Sequence, residues 1–308
     1  IWFLVFLALV VFAFAAIRPF YIERRRPVIG PTERHGAKGE FVQLSQGVTH
    51  FRWAGSTRGP VAIVVHGIAT PMISMEAVAK ALGQQGYRVL MYDLYGRGLS
   101  DAPKGRQDRA FFLRQLSDLC AYHRLTEDIT VAGYSMGGSI ATAFAAEFPH
   151  SVKRVILVAS SGVATNESWF SRFCRRVPIL GDWAHAAFAH NRIAKSIPAR
   201  GATRDIDLFL RAQAQELGRR GYLPALLSSR RGILAEMQEE DHRKLARQGI
   251  AVSAIWGGAD LIVPLKAIGL LGLWNRSARQ EMVVGADHAL PYSHEAELST
   301  ALRETMRS

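Results

Sequence analysis

Residues 131–144 read VAGYSMGGSIATAF, and Ser135 stands there between Gly133 and Gly137. An apolar run (DITVAGY, 128–134) precedes it and an alanine-rich run follows. That pattern predicts a buried strand turning directly into a helix. So tight a turn strains the serine, and side chains two residues to either side of it would collide with the adjoining elements. The turn also lifts the hydroxyl clear of the sheet, with the positive end of the helix dipole behind it. Gly-x-Ser-x-Gly alone is weak evidence. Placed between strand and helix, it marks Ser135 as a candidate nucleophile.

Outward from this point, the runs VAIVVHG (61–67), YRVLMYD (87–93), VKRVILVAS (152–160), IAVSAIWG (250–257) and RQEMVVG (279–285) read as further buried strands. Segments of helical length, 72–85, 108–123 and 136–148, lie between them. EFVQLSQGVTHFRWAG (40–55) alternates as a β-hairpin does. The alternation predicts an α/β domain: a mostly parallel, eight-stranded sheet with helices on both faces. Residues 162–249 are too many for a crossover, and Pro178, Pro198 and Pro224 break them into helix-like pieces. We read this stretch as an inserted helical cap, dividing the core into 40–161 and 250–308.

The chain has 308 residues, enough for one such domain with an insertion, and shows no internal repeat or low-complexity segment. Its 38 Lys+Arg exceed 26 Asp+Glu, a formal net charge of +12. No zinc-ligand spacing or RNP-type signature accompanies the basic excess, so nucleic acid is not an expected partner. Cys120 and Cys174 fit neither a disulfide framework nor a metal site, which favours a reducing compartment.

The N-terminus accounts for part of the charge. Residues 1–17, IWFLVFLALVVFAFAAI, carry no polar side chain. As a helix they span about 25 Å, and continuing through RPFYI covers the ~30 Å hydrocarbon core with Phe20 and Tyr21 at the interface. Arg18, Arg24, Arg25 and Arg26 follow the apolar run, whereas a cleaved signal peptide carries its basic residues ahead of it. AFAAI does resemble a cleavage patch, and that alternative stays open. We expect a retained single-pass anchor at 1–22, a basic linker at 23–39, and the remainder on the cytoplasmic side, where anionic lipids attract the basic segment. Residue 1 is Ile, not Met, and whether native residues precede it stays open.

Taken together, the motifs resemble the α/β-hydrolase family from about residue 40 onward. VVHGIA (64–69) looks like the family's oxyanion loop, and YDLYGRGLSDAP (92–103) like the loop after its fourth strand. GYSMGG matches its nucleophile turn, WGGADLIVP (256–264) its acid turn and GADHALPYSHE (285–295) its histidine loop. The apolar N-terminus with a Ser-Met-Gly-Gly turn is most similar to the membrane-bound monoacylglycerol lipase and esterase branch.

A serine hydroxyl needs a base, and the chain holds ten histidines. His288 follows a late strand and completes the order Ser…Asp…His that this fold uses. His294 is expected in the final helix. His66 resembles the oxyanion-loop histidine, which shapes the loop and takes no proton. His123, His150, His185, His190 and His242 lie in helical or cap contexts, as packed or solvated residues. The acid that orients the imidazole is read as Asp260, in the Gly-Gly turn after a strand, and not as Asp287, whose place beside His288 gives it poor aim. Met136, directly after the serine, offers one main-chain oxyanion donor; by resemblance Ile68 offers the other. The loop lacks the Gly-Gly-Pro-Gly of proline iminopeptidases, and serine in place of aspartate excludes dehalogenase and epoxide-hydrolase chemistry. No cofactor or metal is expected. SWFSRF, DWAHAAFAH and LPALL in the cap interleave apolar groups with arginines. They suit amphipathic helices packed on the core, or a lid on the bilayer sheltering an acyl chain. The expected activity is hydrolysis of carboxylic esters of lipophilic substrates, monoacylglycerol-like or other acyl esters. Thioester or C–C cleavage, perhydrolysis, and a membrane-tethered binding protein are the alternatives; an intact triad weighs against the last.

Overall fold

The apolar runs become strands whose alternate side chains serve two separate cores. A computed structural model describes residues 1–198 and 204–307; residues 199–203, within the stretch expected as cap, and residue 308 lie outside the described residues. The hairpin is β1 (Glu40–Leu44) and β2 (Gly47–Gly55); then come β3 (Val61–Val65), β4 (Arg88–Tyr92), β5 (Ile129–Tyr134), β6 (Val152–Val158), β7 (Ala251–Gly257) and β8 (Arg279–Val283). They form one eight-stranded sheet in the order β1-β2-β4-β3-β5-β6-β7-β8. β2 runs antiparallel to β1 and β4, and the other neighbours are parallel.

Ahead of the sheet lie α1 (Trp2–Arg25) and α2 (Pro31–Arg34), and between strands α3 (Glu76–Gln84), α4 (Arg109–Tyr122) and α5 (Met136–Glu147). After β6 come α6 (Trp169–Arg176), α7 (Leu180–Ser196), α8 (Arg204–Glu216), α9 (Tyr222–Arg231) and α10 (Glu239–Arg247). α11 (Lys266–Trp274), α12 (Leu290–Ser293) and α13 (Glu295–Met306) close the chain. Ile63, Val65, Leu90, Tyr92 and Leu157 pack on one face with Phe112 and Leu116 of α4 and Ile140 and Phe144 of α5. Ala62, Val64, Val89, Met91 and Ile156 pack on the other with Val78 and Leu82 of α3 and Leu298 and Leu302 of α13. A strand's period of two splits each apolar run between the faces, so strands covered on both sides need no polar positions. Each fully buried aliphatic side chain contributes about 1.5–3 kcal/mol.

Three segments differ from expectation. α1 is long and apolar enough to cross a membrane and is exposed along most of its length, yet it runs beyond residue 22 and through Pro19. Proline removes the N–H that would bond the Ala15 carbonyl. The Trp183 indole of α7 donates to that carbonyl instead, at 3.1 Å, and the helix continues. Residues 27–39, expected as a linker, are held against the loop after β4: Arg34 donates to Leu99 O at 3.1 Å and to Asp101 at 2.6 Å. Between β6 and β7, α6, α7 and α9 build small cores around Phe170, Ala184 and Leu227 and around Ala189, Tyr222 and Leu226. α10 does not join them. Leu245 and the preceding Ile233 enter the core beside α5, and Arg109 of α4 pairs with Glu236 and Asp241. Pro224 does not break a helix as the sequence suggested; it lies in the first turn of α9, where no N–H is needed.

Candidate active site

The turn at Ser135 is as tight as its glycines imply. Ser135 has φ 51° and ψ −117° and forms the N-cap of α5. A Cβ on Gly133 would stand 2.1 Å from Gly137 O, and one on Gly137 2.0 Å from Val65 O, so no side chain fits at either position. The left-handed φ of a non-glycine residue is a strained conformation that the surrounding structure must hold. Here Ser135 N donates to Val158 O at 3.0 Å, while Ser135 O accepts from Gly138 N at 3.0 Å and Ser161 N at 3.1 Å. Met136, first residue of α5, has an N–H without an intrahelical acceptor.

Ser135, His288 and Asp260 come together although they lie far apart in sequence. His288 Nε2 is 3.0 Å from Ser135 Oγ, and His288 Nδ1 is 2.8 Å from Asp260 Oδ2. Asp260 is buried, and its other oxygen accepts from Ile262 N at 2.7 Å and Val263 N at 2.8 Å. Both of its oxygens are therefore oriented. Asp287 is turned away: it accepts from Ala289 N, closing its own turn. His294 stands outside the final helix, as the residue capping α13, with Ser293 as its partner. The acid and histidine loops lie close because Ala259 N donates to Ala286 O at 2.8 Å, and Gly257 leaves room for that approach.

The loop after β3 is fixed carbonyl by carbonyl. Leu94 N donates to His66 Nε2 at 2.9 Å, so the proton of that ring sits on Nδ1, which donates to Gly67 O at 2.8 Å. In a trans peptide the N–H opposes the C=O, so this bond also sets the direction of the Ile68 N–H. Burial lowers the His66 pKa to about 4, which keeps the ring neutral at physiological pH. Arg97 Nε donates to Ile68 O at 3.0 Å. Gln213 and Tyr222 donate to Ala69 O at 3.0 and 3.1 Å. Beneath the loop, the buried Asp93 accepts from Met72 N at 2.7 Å and Leu99 N at 3.0 Å, and pairs with His50 at 2.7 Å. Burial alone would raise the Asp93 pKa, but the His50 hydrogen bond and charge hold it below the usual carboxylate range.

Arg97, Tyr134, Gln213 and Tyr222 carry no role in the sequence reading. Arg97 had a signal, its place between two glycines in YDLYGRGLS. It is 1% exposed, and burial lowers its pKa only to about 10, so it stays charged. Tyr134 directly precedes the serine; its hydroxyl donates to His288 O at 2.7 Å and its ring lies 5.3 Å from the imidazole.

This arrangement, a strained serine backed by an imidazole and a carboxylate at the carboxyl ends of parallel strands, is that of an α/β hydrolase. The chain belongs to the alpha/beta hydrolase fold family, whose model matches residues 60–295. Among its relatives is the pimeloyl-[acyl-carrier protein] methyl ester esterase of Chromobacterium violaceum, 30% identical over 82% of this chain and 96% of the esterase. Lipase 1 of Psychrobacter immobilis is 24% identical over 70% of this chain and 67% of the lipase. The crystal structure of a bacterial membrane phospholipase A matches with a TM-score of 0.69 over 98% of this chain and 96% of that one. At 17% identity that likeness is one of fold.

Proposed function

We propose that the protein is a membrane-anchored serine hydrolase that cleaves carboxylic esters of lipophilic substrates, monoacylglycerol-like or other acyl esters. The observation that carries this reading is the hydrogen-bonded series Ser135–His288–Asp260 on a positive-φ turn. Ser135 Oγ attacks the ester carbonyl while His288 Nε2 takes its proton, and Asp260 stabilises the imidazolium through Nδ1–H. The tetrahedral oxyanion accepts from Met136 N–H and Ile68 N–H. Collapse expels the alcohol, protonated by His288, and leaves an acyl group on Ser135. Water, deprotonated by the same imidazole, then attacks the acyl carbonyl and releases the acid and the free serine.

The names of the esterase and lipase relatives support ester chemistry. The exposed apolar face of α1, with Arg24 and Arg25 in its last turn, supports a single-pass anchor with the catalytic domain on the cytoplasmic side. Exposed Trp169, Ile179 and Leu180 at the start of α6 and α7 suit contact with lipid beside it. The test is turnover of short and long acyl esters by the full chain and by Ser135→Ala. Loss of all ester turnover in a folded Ser135→Ala supports the reading; wild-type turnover in that variant overturns it.

A further inference from the structure

α8 reaches both halves of this machinery with one face. Phe209, Gln213 and Glu216 are spaced i, i+4, i+7 and so share a side of the helix. Gln213 donates to Ala69 O of the oxyanion loop. Phe209 packs on Tyr292 with ring centroids 4.5 Å apart, and Tyr292 neighbours Tyr134, which holds the His288 carbonyl. Glu216 accepts from Gly98 N, and Arg219 donates to Gly98 O at 2.6 Å. From the start of α9, Tyr222 adds the second bond to Ala69 O and packs with Ile68 and Ala69.

We infer that Gln213 and Tyr222 are positioning residues of the oxyanion loop, through which the α8–α9 segment sets the donor geometry for the transition state. Neither side chain bonds a catalytic atom. Each fixes the carbonyl one residue beyond Ile68, while His66 and Arg97 fix the two carbonyls before it. Three successive peptides are thereby oriented, the first two by the core and the third by the cap. The loop is held in the geometry that the oxyanion requires before substrate arrives, which is where preorganised donors gain their advantage. The inference rests on the reading of Ser135 as nucleophile.

The experiment compares Gln213→Met, Tyr222→Phe and the pair with wild type on a short soluble ester, together with inhibition by a trifluoromethyl ketone that forms a tetrahedral oxyanion on the serine. Each single change should lower kcat about three- to tenfold, the scale of one hydrogen bond, with KM within about twofold. The ketone's Ki should rise in step with the fall in kcat/KM, because both report the oxyanion. Gln213→Lys, which keeps an N–H donor on a chain of similar length, should recover most of the loss. Unchanged kcat, a loss confined to KM, or a Ki that stays constant while kcat falls would each overturn the assignment. Ser135→Ala separates the two claims. If it still turns over, both fall; if it is inactive while the Gln213 and Tyr222 variants match wild type, only the positioning role falls.

Discussion

At the scale of single residues, the choice between two neighbouring carboxylates is the sharpest. Asp260 meets the imidazole with one oxygen and two backbone amides with the other, whereas Asp287 bonds only its own turn. Asp260→Asn should therefore lower kcat by roughly 10³–10⁴-fold through a wrong tautomer and a lost counter-charge, with KM little changed. Asp287→Asn should stay within about a factor of a few, since an exposed turn bond is worth at most about 1 kcal/mol. Steady-state kinetics of the two variants decide, and a reversed ranking would move the acid to Asp287. Ser135, His288 and Asp260 were legible because each sits at the end of an apolar run, beside glycines that have no other reason to cluster. Gln213 was not. Its partner is a backbone carbonyl, and a carbonyl at position 69 leaves no mark on the sequence.

Among elements, strands were read more faithfully than helices. A run such as VAIVV must be buried on both faces and has one structural solution. A proline admits two readings, a break or a first turn, and tertiary contacts choose between them: Pro224 lies in the first turn of α9, and Trp183 lets α1 run through Pro19. α8 carries a buried carboxyl with a measurable consequence. Burial, with nearby Asp93, raises the Glu216 pKa from 4.5 to about 8, while Arg219, the Gly98 N–H and Arg97 act in the opposite sense. The native state thus retains a proton that the unfolded chain releases. Glu216 is neutral in both states below about pH 4.5, and its contribution to stability declines as pH rises toward 8. Glu216→Gln keeps an acceptor for Gly98 N and has no proton to lose. Urea midpoints taken from pH 5 to 8 should shift progressively in the variant's favour. Parallel curves for the two proteins would show that Glu216 is ionised in the fold.

For the whole molecule, the apolar N-terminal helix and the catalytic centre are separate parts joined through the cap. Trp183 bonds Ala15, and Glu23 accepts from Gly221 N at 2.7 Å, but the triad draws nothing from residues 1–26. The full chain should sediment with membranes and resist high salt and carbonate, because apolar burial is insensitive to ionic strength. A chain beginning at Pro27 should be released, retain hydrolysis of a short soluble ester, and lose activity on long-chain esters in bilayers. A full chain recovered in the soluble fraction after N-terminal processing would contradict the anchor. The central claim concerns Ser135, and covalent trapping tests it most directly. Full chain treated with a fluorophosphonate, digested and analysed by mass spectrometry should carry one adduct, on the peptide containing Ser135, and denatured protein should carry none. An adduct on another residue, or equal labelling of Ser135→Ala, would contradict the account.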